Sequence, residues 1–134
     1  MRLLLILLMT VPLSAVADIY ECKVTRKVYA TGEDSPADLK KWQPSTILEI
    51  NQSSPSYASR CAYSTIAKKV TCDRYEMDRV DVDPNVGHIK MYRFTSQMTV
   101  QLFANLNFME DMGRGIVSFG KCKALTPPTT NDVK

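Results

Sequence analysis

From residue 18 onward, apolar and polar residues alternate with period two, which predicts a succession of short strands. Tyr20, Cys22, Val24 and Val28 alternate with Glu21, Lys23, Thr25 and Lys27. Ile19 to Ala30 is therefore a half-buried strand, with Arg26 interrupting its apolar face. Gly32 to Ser35 reads as a loop. Ser35, Pro36 and Asp38 form a helix start: a Ser N-cap, Pro at the first helical position and an acid at the third. The helix is short, near 36–42, because Pro44 stops it. Thr46 to Ile50 is a second strand with Leu48 and Ile50 on one face, and Asn51 to Ser56 is a polar loop.

Strands through Cys61 and Cys72 follow. Beyond Cys72 the alternation changes phase twice: Tyr75 and Met77 occupy odd positions, Val80 and Val82 even ones. This predicts bulges or a bend. Asp83 to Gly87 is a turn, His88 to Phe94 a strand, Thr95 to Gln97 a tight turn and Met98 to Ala104 a strand. Asn105 to Met109 is a short strand and Glu110 to Gly113 a turn. Arg114 to Ala124 is the last strand, with a bulge at Gly120. Residues 126–134, with two prolines and polar neighbours, form a disordered tail.

About seven or eight short strands joined by tight turns predict an all-β, antiparallel protein, an up-and-down barrel or a sandwich. The barrel is favoured, because closure would place the first and last strands side by side. Residues 18–125 form one domain.

The cysteines sharpen this picture. Cys22, Cys61, Cys72 and Cys122 are an even set, which in an oxidising compartment forms a disulfide framework. Three pairings are possible. A hairpin turning at Ile66-Ala67 sets Cys61 opposite Cys72, Tyr63 opposite Val70 and Thr65 opposite Lys68, so Cys61–Cys72 and Cys22–Cys122 are favoured. Ile-Ala is poor chemistry for a two-residue turn, and a longer loop fits the same register. There is no Cys-x-x-Cys spacing and a single histidine, which argues against a zinc site.

The start of the chain has its own pattern. Arg2 precedes an apolar run from Leu3 to Val11, then Pro12 and Ala15-Val16-Ala17. This is the layout of a cleavable export signal over residues 1–17, and the run falls short of the roughly 20 apolar residues of a bilayer span. Cleavage between Ala17 and Asp18 predicts a soluble periplasmic or extracellular product without a membrane span. The 17 basic and 14 acidic residues leave too small a net charge to imply nucleic acid.

No catalytic set stands out. His88 is the only candidate general base, no Gly-x-Ser-x-Gly elbow is present, and the bridged cysteines offer no nucleophile. Asp81-x-Asp83-x-Asn85 begins like a calcium loop, but Gly87 comes one place late and Tyr92 stands where the bidentate Glu belongs. No metal or cofactor is expected. Asp73, Glu76, Asp78, Asp81 and Asp83 form either a solvated strand face or an acidic surface for a basic partner. Arg114, between Gly113 and Gly115, is either a residue presented to a partner or an exposed residue of a glycine turn. Lys90, Tyr92, Arg93 and Phe94 interleave charge and aromatic rings as single-strand nucleic-acid platforms do, though Tyr92 and Phe94 suit a core. Asn51-Gln52-Ser53 is a glycosylation acceptor in a host that glycosylates.

A Tyr-x-Cys strand just after an export signal, here Tyr20 to Cys22, resembles the start of periplasmic lysozyme inhibitors; the resemblance does not extend to that family's later inhibitory loop. The expected function is a non-enzymatic binding or inhibitor module of the cell envelope, with an unknown protein or a small apolar molecule as partner. A small nuclease-like hydrolase using His88 and a structural envelope component are the alternatives.

Overall fold

The computed structural model describes residues 17–51, 53 and 55–125. The expected export signal, apart from Ala17, and the expected C-terminal tail lie outside them. The elements run β1 (Asp18–Tyr29), β2 (Gly32–Glu33), α1 (Pro36–Trp42), β3 (Ser45–Ile50), β4 (Ser56–Ser64), β5 (Lys69–Met77), β6 (Arg79–Asp83), β7 (His88–Arg93), β8 (Met98–Leu102), β9 (Asn107–Asp111) and β10 (Ile116–Ala124). All ladders are antiparallel in one sheet of order β5-β4-β3-β1-β10-β9-β8-β7-β6, with β2 beside β1. The sheet curls into a half-barrel, so the all-β, up-and-down reading holds.

The ten strands exceed the expected seven or eight for two reasons. Gly32–Glu33 makes a two-residue strand where the sequence reads as loop. The run after Cys72 also divides at Asp78 into β5 and β6, the two end strands of the sheet. This is the bend that the phase change at Met77 and Val80 predicts. Asp78 fixes it at both ends of the residue: its backbone N–H donates to the Tyr92 carbonyl (2.7 Å), and its carboxylate accepts from the Phe94 N–H (2.6 Å). The Arg93 guanidinium lies 4.7 Å from the centre of the Tyr75 ring, linking β7 to β5 across the seam.

Both expected disulfides are present, Cys22–Cys122 and Cys61–Cys72, and each joins residues directly opposite on neighbouring strands. Tyr63 faces Val70 as predicted, but the ladder ends at Ser64 and Lys69. Residues 65–68 form a longer loop in which Lys68 takes a left-handed φ of 54°, so the two-residue turn is corrected. Ser35 caps α1 in a full capping box with Asp38. The Ser35 hydroxyl, and then its backbone N–H, hold the Asp38 carboxyl below the ordinary carboxylate range.

Alternation along the strands turns one side chain in two toward the concave face. Cys22, Leu48, Ile50, Ala58, Met77, Met91, Met98, Val100, Leu102, Phe108 and Cys122 pack there as one cluster, with Tyr20, Val24, Tyr75, Val80, Ile89 and Met112 at its margin. Phe94, expected in the core, is exposed at the β7–β8 turn.

Gly120 lies opposite a bulge, not within one. The register of β1 against β10 slips between Val24 and Arg26, so the extra residue is Thr25. The slip also accounts for Arg26 breaking the apolar alternation. Gly120 is needed because β1 and Phe108 approach so closely: a Cβ there would meet Phe108 Cε1 at 2.7 Å and collide with the Lys23 carbonyl. Backbone cannot give way as a flexible side chain can. Gly120→Ala is therefore expected to cost about 3 kcal/mol of stability, read as a lowered urea midpoint at unchanged slope. A variant as stable as the parent would show that β1 moves freely here.

Candidate functional site

Two features of the half-barrel are not accounted for by packing. The first is a polar end to its interior. Register sets Lys27, Ser118 and Glu110 side by side on β1, β10 and β9, and Thr46, Arg60 and Asp73 side by side on β3, β4 and β5. These two rows face each other. Glu110, 1% exposed, reaches across: its carboxylate accepts from Arg60 Nε at 2.6 Å and from the Thr46 hydroxyl at 2.8 Å. β9 is separated from β3 by two intervening strands, so this contact ties the walls together through the interior. Beside it lies a cavity of about 160 Å³, lined by these residues together with Val24, Pro44 and Thr71 among others.

The second feature is the seam. The outer edge of β6 pairs with no strand among the described residues. A groove of about 610 Å³ runs there, with Ile50, Met77, Val80 and Val82 giving apolar wall and Glu76 and Asp78 giving charge. Val82 is half exposed. Arg79 also lines the groove, but it is engaged: its guanidinium donates to Asp81 at 2.8 Å and lies over the Tyr92 ring at 4.4 Å. The bond to Asp81, followed by Tyr92, raises the Arg79 pKa above its ordinary value.

The acidic stretch does not form one surface. Alternation along β5 turns Asp73 toward the interior cavity and Glu76 to the opposite face beside the seam. Asp78 sits at the bend, and on β6 Asp81 binds Arg79 while Asp83 accepts from the Asn85 N–H at 2.9 Å. Arg114 is exposed in the β9–β10 turn between two glycines with positive φ. His88 lies 3.1 Å from Gln101 Oε1 through Nε2 and stacks on Phe103 at 5.1 Å. No carboxylate or guanidinium partners it among the described residues. The Asn51 side-chain amide donates to the Pro55 carbonyl at 2.9 Å. Among the described residues, no group of three or more His, Cys, Asp or Glu side chains is gathered as a metal site, and no helix is long and apolar enough to cross a membrane.

Sequence reasoning missed Arg60 and Glu110. The sequence predicts a turn over Glu110 to Gly113, yet β9 continues to Asp111. The alternation Phe108-x-Glu110 carried the signal, since it places the carboxylate on the same face as a core phenylalanine. No protein-family model, curated protein or solved structure matches this chain significantly.

Proposed function

We propose that this chain is an exported, non-enzymatic binding module that takes an extended basic segment of a partner protein along the β6 edge. The unpaired edge beside the seam groove carries this reading. An edge strand offers a row of backbone N–H and C=O groups to an added strand, and adjacent pockets for alternate side chains give specificity. Met77, Val80 and Val82 supply apolar contact, and Glu76 and Asp78 favour a cationic partner, Arg79 being neutralised by Asp81. The two disulfides support an oxidising compartment.

The test uses the mature, disulfide-bonded protein as bait in envelope or secreted extract, beside the double variant Glu76→Arg/Val82→Arg. Both side chains are exposed, so the variant should unfold at the temperature of the parent. The parent should retain a partner that salt weakens, and the variant should lose it by about tenfold or more. Equal retention by parent and variant, or no retained partner, overturns the reading.

A further inference from the structure

The interior cavity is distinct from the seam and leads to a separate conclusion. Its polar groups are only partly used. Arg60 spends Nε on Glu110, and its terminal nitrogens bond to nothing among the described residues. Lys27 lies over the Tyr29 ring at 5.4 Å and makes no ion pair there. Asp73 has no hydrogen-bond or ion-pair partner among the described residues, and neither does the Ser118 hydroxyl, although Ser118 is 2% exposed. No fully buried side-chain nitrogen or oxygen among the described residues lacks a hydrogen-bond partner, so the Ser118 hydroxyl is reached from the cavity rather than sealed in the core.

The lining has two cations, Lys27 and Arg60, and two anions, Asp73 and Glu110, of which Glu110 is consumed by Arg60 and Thr46. A simple anion gains at Arg60 but is repelled by Asp73 and Glu110; a simple cation meets the reverse. A molecule carrying both charges satisfies each side. Cavities of about 150 Å³ hold a benzene-sized ligand, so this one admits roughly six to eight non-hydrogen atoms. We infer that the cavity is a binding site for a small zwitterion of the α-amino-acid class. Its carboxylate takes the free guanidinium nitrogens of Arg60 and the Lys27 ammonium, its ammonium takes Asp73, and Ser118 completes the wall. Glu110 holds Arg60 in position and does not itself touch the ligand.

Isothermal titration of the mature, disulfide-bonded protein with L-alanine and L-serine tests this, with sodium acetate and methylammonium chloride as half-molecule controls. Saturable binding of either amino acid is expected, at concentrations where neither control binds. Asp73→Asn, at an exposed position on β5, should weaken binding about tenfold or more without shifting thermal unfolding. The Arg60 Nε–H resonance gives a second readout in the parent protein, and it should move on titration. No saturable heat with either amino acid, with a stationary Arg60 resonance, means that the cavity holds only water and overturns the inference. Binding of acetate as tight as that of alanine, or unchanged affinity in Asp73→Asn, overturns it equally. The Glu76→Arg/Val82→Arg variant should titrate like the parent, so failure at the seam is told apart from failure here.

Discussion

Replacing Cys22 and Cys122 together with alanine is expected to lower the unfolding free energy by about 4–5 kcal/mol, against about 3 kcal/mol for the Cys61/Cys72 pair. The difference follows from loop length. The first bridge spans a separation of 100 residues and the second of 11. In the chain-entropy account a bridge limits the unfolded ensemble, and the limit tightens with the logarithm of the loop it closes. Position adds to this. Cys22 is wholly buried and Cys122 nearly so, both within the core cluster, whereas Cys72 is exposed. Removing the first bridge thus also removes sulfur from a packed interior, and the void left by two alanines adds its own cost. The nine facing pairs of β1 and β10 do not depend on the bridge, so the native sheet should persist in the variant. Urea denaturation of both double variants measures the comparison. Equal losses, or a larger loss for Cys61/Cys72, would refute the loop-length account.

Glu110→Leu is expected to cost about 3 kcal/mol, the lower end for breaking a buried ion pair. The lower end applies because Arg60 keeps 29% of its side chain exposed and can turn its charge to water. The loss is not confined to the carboxylate. Thr46, itself buried, donates its hydroxyl to Glu110 and would be left without an acceptor. Leucine fills part of the volume but makes neither bond. Pairing it with Arg60→Met should recover much of the loss, since two apolar partners leave no charge unmatched inside. A double-mutant cycle on Glu110 and Arg60 measures the coupling directly. A loss below about 0.5 kcal/mol, the scale of an ordinary surface change, would mean that the tie through the interior does not hold the walls together.

How much of this could be read beforehand depends on how local each cause is. The Cys61 hairpin was legible because Tyr63 and Val70 share its register. The helix start was legible in Ser35, Pro36 and Asp38, which cap themselves, and the bend at Asp78 in the phase change from Met77 to Val80. The contact of Glu110 with Arg60 spans 50 residues and depends on the curl of the sheet, which no local periodicity encodes. The sequence places the bulge at Gly120 and the structure at Thr25, for a similar reason. Gly120 is the visible residue, but the crowding that requires it comes from β1. The acidic stretch depends on both scales: strand alternation sets Asp73 and Glu76 on opposite faces of β5, and the bend at Asp78 carries Asp81 and Asp83 onto β6.

The place of β1 in the middle of the sheet governs the order in which the domain can assemble. β1, β3, β4 and β5 form one meander, and β6 to β10 form another. The two halves join along β1 and β10, strands that stand at opposite ends of the domain sequence. Pairing them closes the longest loop available, a step whose entropic cost comes before its contacts form. The first meander can form early, but β1 keeps one bare edge until the final strand arrives. Folding to completion therefore requires the whole domain at once, and a ribosome or translocation channel still holding β10 leaves the Cys22 thiol without its partner.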